Sequence, residues 1–171
     1  MRQREMLIVT VLLSVGVIVM MFCPLQKVFA FTETRVESPT LHYIPVVTDD
    51  TFRIRYTHSI HKSDVLEYYK CVEKKRIQML GMEYEDLAIG MPGYAEENQT
   101  LTQRDGKYYL QFDNETIENF TIYIGDIDLD LVLAYKDYEY DLKKGLQRGK
   151  SYLFEVKHIS LYDQWKGVRL K

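Results

Sequence analysis

The densest collection of reactive side chains in the 171-residue sequence is Tyr56-Thr57-His58-Ser59-Ile60-His61, followed by Asp64 and Glu67. A divalent metal would recruit His58, His61 and a carboxylate such as Glu67, since imidazole nitrogen and carboxylate oxygen are ordinary zinc ligands. A hydrolase would use Ser59 as nucleophile, His58 as its base and Glu67 to orient that base. The local pattern works against the hydrolase: neighbours His58 and Ser59 point to opposite faces of an extended strand. No glycines flank Ser59 to build a sharp nucleophile turn. The pattern favours a ligand-binding or structural polar cluster of Tyr56, His58, Ser59 and Glu67, in which His58 ends a strand on its apolar face and pairs with a carboxylate across a hairpin. No catalytic set, metal site or cofactor is assigned.

Other charged or polar stretches offer less. Gly125-Asp126-Ile127-Asp128-Leu129-Asp130 looks like the opening of a calcium loop, but Leu131 stands sixth, where the EF-hand turn needs glycine, and no glutamate stands twelfth. Ile127, Leu129, Leu131 and Leu133 alternate with the acids, which is the pattern of a strand with one solvated face. Tyr135 to Asp141 reads as an exposed hairpin. Cys71 lies in a tyrosine-rich strand pattern as a buried thiol, with no histidine placed to activate it.

Strands must position these residues. Phe52, Ile54, Tyr56 and His58 alternate with Arg53, Arg55, Thr57 and Ser59, a half-buried strand. His61 to Asp64 turns the chain into a second strand at residues 65–72, and residues 76–84 form a third, interrupted by Gly81. Gly90, Met91 and Pro92 begin a loop that runs polar through Gln103. Strands at 107–112, 120–124, 127–135, 151–158 and 167–170 follow, with Asp105-Gly106 and Lys144-Gly145 as turns. Fourteen tyrosines suit pleated, half-buried surfaces. The expected fold is all-β, an antiparallel β-sandwich, Ig-like or a partly open barrel, over residues 51–171. Residues 31–50 read as a lead-in with an edge strand at 43–47, and at most a turn of helix is expected near 115–120.

The first thirty residues differ in kind. Three of the 22 basic and one of the 25 acidic side chains fall there, leaving 19 basic and 24 acidic in the remainder. That acidic body excludes nucleic-acid binding through a basic field. Arg2 and Arg4 precede an uncharged run from Met6 to Phe22 that Pro24 ends. Val28-Phe29-Ala30 fits signal-peptidase cleavage after Ala30, and the rival is an uncleaved membrane anchor. Either way residues 1–30 are an address, and the remainder is extracytoplasmic, secreted or held to the cytoplasmic membrane with its positive end inside.

The segment Phe52-Arg53-Ile54-Arg55-Tyr56-Thr57-His58-Ser59-Ile60-His61-Lys62-Ser63, with Val65 and Glu67, resembles the signature of a small exported bacterial family of unknown function numbered eighteen-fifty. Ala88-Ile89-Gly90-Met91-Pro92 stands where that family has a glycine-alanine-glycine-leucine-proline stretch. The resemblance highlights Tyr56, His58, Ser59, Glu67, Gly90, Met91 and Pro92. It implies gene neighbourhoods beside tripartite ATP-independent periplasmic transporters of the TAXI type, and no settled activity. The leading expectation is a non-enzymatic accessory that contacts a TAXI-type transporter subunit or its solute-binding protein. The alternatives are a metal-dependent or hydrolytic enzyme using His58, His61 and Glu67, and a structural cell-envelope module.

Overall fold

A computed structural model describes residues 2–48, 51–87 and 90–171. Helix α1 (Arg2–Phe22) carries apolar side chains on every face, and they remain exposed. Its polar interruptions are satisfied within the helix: Thr10 Oγ1 donates to the Met6 carbonyl and Ser14 Oγ to that of Thr10. Three residues then lead into β1 (Gln26–Glu33).

A five-stranded sheet runs in the order β13-β2-β1-β12-β9, where β2 is Leu41–Pro45, β9 Asn119–Ile124, β12 Lys150–Ile159 and β13 Val168–Arg169. An eight-stranded sheet faces it in the order β11-β10-β3-β4-β5-β7-β6. Its strands are β3 (Thr51–Thr57), β4 (Asp64–Cys71), β5 (Ile77–Tyr84), β6 (Gln99–Arg104), β7 (Lys107–Phe112), β10 (Leu131–Tyr135) and β11 (Tyr138–Asp141). A two-residue β8 (Thr116–Ile117) pairs with β5. The sheets remain separate ladders, so the antiparallel-rich fold is a sandwich and not a closed barrel. Phe29, Phe31 and Phe154 from one sheet interleave with Phe52, Ile54, Tyr69 and Leu133 from the other.

The described structure corrects the reading of the N-terminal region. Ala30 is fully buried in the middle of β1, which pairs along its length with β12 and on its other side with β2. Cleavage after Ala30 would remove five of the eight residues of a central strand. The residues that satisfy a peptidase pattern are interior residues of the sandwich. Val28 and Ala30 are fully buried and pack with Tyr43 and Ile159 in a cluster separate from the aromatic core. The segment 31–50 is likewise not a lead-in: it completes β1 and supplies β2, so the sandwich begins at Gln26. Asp49 and Asp50 lie outside the described residues.

Other departures are local. The strand expected from Ile127 starts only at Leu131, and residues 115–120 hold β8 and the start of β9 rather than a helical turn. Two short helices close the chain, α2 (Leu142–Gly145) and α3 (Leu161–Lys166). Asp141 caps α2 by accepting from the backbone of Lys143 and Lys144. Ser160 and Asp163 cap α3 reciprocally, a capping box that is legible in the sequence. Gly81 does not interrupt β5. A Cβ there would lie 2.7 Å from the Leu110 carbonyl oxygen, so glycine allows close approach of β7 beside the register shift at Tyr68/Tyr69. The Asp105-Gly106 turn joins β6 to β7 as expected, both residues having positive φ.

Candidate functional site

Antiparallel register places the key groups. β3 and β4 pair with Ile54 opposite Glu67 and Tyr56 opposite Val65. Tyr56 is therefore a diagonal neighbour of Glu67, and Tyr69 lies two residues along β4 on the same inner face. Tyr56 Oη donates to Glu67 Oε1 at 3.3 Å and Tyr69 Oη to Glu67 Oε2 at 2.7 Å. The two phenols hold the carboxyl group from either side.

This triad forms part of the wall of a cleft of about 780 Å³. Among the described residues nothing extends the five-stranded sheet beyond β9, so the inner face of β3–β5 is left partly open there. Apolar walls come from Ile54, Met79, Ile117, Phe120, Ile122 and Leu131. Phe52, Tyr69 and Phe120 stack in series, with ring centroids 5.1 and 5.4 Å apart. Polar groups also line the cleft: Thr57 from the end of β3, Ser59 from the β3–β4 turn, Asp126 and Asp130 from the β9–β10 loop, and Lys143 from α2. Asp130 Oδ2 is held by Arg55 Nη1 at 2.8 Å, and Lys143 Nζ donates to the Ile127 carbonyl.

Burial dominates the electrostatics. It pushes the Glu67 carboxyl above its ordinary value, and the hydrogen bonds from Tyr69 and Tyr56 offset that only in part. Both phenols are pushed up, first by burial and then by the Glu67 charge. A carboxyl raised in the folded state favours folding below its unfolded value of about 4.3, and that advantage is lost as pH rises through the folded value. Glu67→Gln should therefore flatten the stability profile. Relative to the wild type it is expected to lose about 1 kcal/mol at pH 3 and to recover that loss, or exceed it, at pH 8. Urea denaturation midpoints across this range provide the check; parallel profiles for the two proteins would contradict the burial effect.

The histidines do not join this site. His58 lies just past β3 in the β3–β4 turn, where its Nδ1 accepts from the backbone N–H groups of Ile60 and His61 at 3.4 and 3.5 Å. His58 is thus neither on the apolar face of the strand nor paired with Glu67, whose oxygens serve the tyrosines. His61 Nδ1 lies 3.7 Å from Asp86 at the surface. Among the described residues, no group of three His, Cys, Asp or Glu is arranged to hold a metal. His58, His61 and Glu67 therefore do not form one ligand set.

Gly90, Met91 and Pro92 cover a neighbouring part of the same sheet face. Met91 packs on Val65, Tyr84 and Leu110, and the Pro92 carbonyl accepts from Tyr84 Oη. Tyr56 packs against both this cluster and the main core, so it borders both the loop and the cleft. Ala88 and Ile89 lie outside the described residues. Of the residues singled out in the sequence, the structure brings together Tyr56, Glu67 and Ser59, with Gly90–Pro92 alongside. The missed member is Tyr69, which strand alternation from Glu67 could have identified. Met79 and Phe120 could not be found that way, because they reach the cleft through pairings distant in sequence.

The family described as Domain of unknown function (DUF1850) matches residues 52–142, more than half of the chain. No curated protein and no solved structure matches it.

Proposed function

The chain belongs to the DUF1850 family, and from that premise we propose that it is a non-enzymatic, extracytoplasmic accessory module tethered to the membrane, presenting its intersheet cleft to a solute-uptake transporter of the TAXI type. The observation that carries the reading is the short join between α1 and the sandwich. Residues 3–22 are long and apolar enough to cross a bilayer, about 30 Å at 1.5 Å per residue. Only Cys23, Pro24 and Leu25 separate that helix from the central strand β1. A retained α1 therefore holds the sandwich at the membrane surface rather than on a long leash.

α3 supports the same arrangement. Tyr162 meets Phe22 at the end of α1, with ring centroids 5.1 Å apart. Leu25, Leu161 and Trp165 stay exposed at 73, 45 and 78%, which suits the interfacial layer where tryptophan is favoured. The transporter assignment rests on the gene neighbourhood that the family resemblance implies. Its test is solute uptake in a deletion strain. Uptake through the neighbouring transporter should fall at least several-fold and be restored by the full chain, which should co-purify with a transporter subunit. Normal uptake without the protein would overturn the assignment.

A further inference from the structure

We propose that the cleft takes an organic cation, an apolar body ending in a single ammonium group that lies against Glu67. The inference goes beyond the proposed accessory role and rests on the cleft being a ligand site.

Hydrogen-bond accounting at the triad comes first. Tyr56 and Tyr69 each have one hydroxyl proton, and both are donated to Glu67. A carboxylate offers about four acceptor positions, so Glu67 retains unused ones, and each phenol oxygen retains lone pairs. With Glu67 ionised, the polar part of the triad thus presents acceptors and no free donor. At the triad itself a ligand carboxylate or phosphate would find nothing to donate to it and would meet a like charge.

Charge gives the same direction. No ion pair reaches Glu67 among the described residues, and the causes that set its ionisation are burial and the two phenols. Breaking or omitting one half of a buried charge pair is unfavourable, and a ligand cation would supply the missing half. With Asp130 held by Arg55, Glu67 and Asp126 still outnumber Lys143 among the charged residues lining the cleft, and an excess of one sign of charge in an apolar-walled cleft concentrates the opposite ion. Phe120, a cleft-lining ring that is only partly buried, adds an aromatic surface against which an ammonium group can pack. Ile54, Met79, Ile117 and Ile122 provide the apolar wall for the body of the ligand.

The test compares three probes of one shape on the full chain in lipid nanodiscs: phenethylammonium, 2-phenylethanol and 3-phenylpropionate, measured by titration calorimetry against empty nanodiscs. Phenethylammonium should bind at least ten-fold more tightly than the alcohol, and the carboxylate should not bind detectably. Glu67→Gln should lower the affinity for the cation at least ten-fold and leave that for the alcohol unchanged. Met79→Trp, which fills the cleft from the wall, should abolish binding of both. Equal affinity for alcohol and cation, or cation binding that survives Glu67→Gln, overturns the charge assignment while leaving the cleft a ligand site. Saturable cation binding that survives Met79→Trp moves the site elsewhere and overturns the proposal. Binding by none of the three probes overturns the proposal and the ligand-site reading together.

Discussion

A chain that starts at Phe31, as cleavage after Ala30 would leave it, is expected not to fold, whereas a chain that starts at Leu25 is expected to give a cooperative, soluble sandwich. The shorter chain lacks Gln26 to Ala30, which pair with residues 155–159 of β12, and whose Val28, Phe29 and Ala30 also pair with β2. It also loses the Phe29 ring, which lies 4.7 Å from Phe52, 5.2 Å from Tyr135 and 5.6 Å from Phe154. Removing one buried phenylalanine typically costs about 3–5 kcal/mol, and a domain has only about 5–15 kcal/mol in total. With Val28 and Ala30 also lost and a sheet broken at its centre, the sum exceeds what such a domain can lose. Far-UV circular dichroism with a thermal melt decides it. A cooperative transition for the Phe31 chain would show that β1 is dispensable. In cells, the corresponding outcome is mature protein whose N-terminal peptide still precedes Gln26.

Phe154→Ala is expected to destabilise the sandwich by about 3–5 kcal/mol, the largest effect of a single substitution in the core. Its fully buried ring meets four others: Phe29, Phe31, Phe52 and Phe120, at centroid distances of 5.6, 5.1, 5.6 and 4.9 Å. The cavity left behind has aromatic walls fixed on both sheets, so little of it can collapse. Phe120 is also a wall of the cleft, and the substitution should loosen that wall as well as the core. Tyr123→Ala, on β9 but 59% exposed, is the control and should stay within about 0.5 kcal/mol. Guanidinium denaturation of the two variants provides the comparison. Equal midpoints would mean that the aromatic centre does not carry the stability assigned to it.

Much of the fold was legible in local patterns. Alternation through Phe52, Ile54 and Tyr56 marked β3, and the turn from His61 to Asp64 followed by an apolar, tyrosine-rich run marked β4. Asp105-Gly106 marked a hairpin turn. Period-2 reasoning failed where a strand is buried on both faces: Val28-Phe29-Ala30-Phe31 has no alternation, because its small residues meet the outer cluster and its rings meet the core. The same apolar run looked like the end of an export signal. It failed again at Ile127 and Leu129, whose alternation with acids suggested a strand although the chain there forms a loop at the cleft. His58 was misplaced because alternation was carried one residue past the end of β3, into a turn where its ring accepts from the backbone instead of from the core.

The sequence by itself determined which residues could share a face. Alternation assigns Tyr56 to one side of its strand and Glu67 with Tyr69 to one side of the next, and the uncharged run before Pro24 sets a span of bilayer length. Only the tertiary structure decided that Glu67 is held by two tyrosines rather than by a histidine. The same is true of the cleft opening where the smaller sheet ends, and of β1, which joins that sheet as soon as the apolar helix ends. The physical reason is distance along the chain. Residues 26–33 gain their place from residues 152–159, and the cleft gains its walls from β3, β5, β8 and β9 together. No local period encodes pairings made across more than a hundred residues.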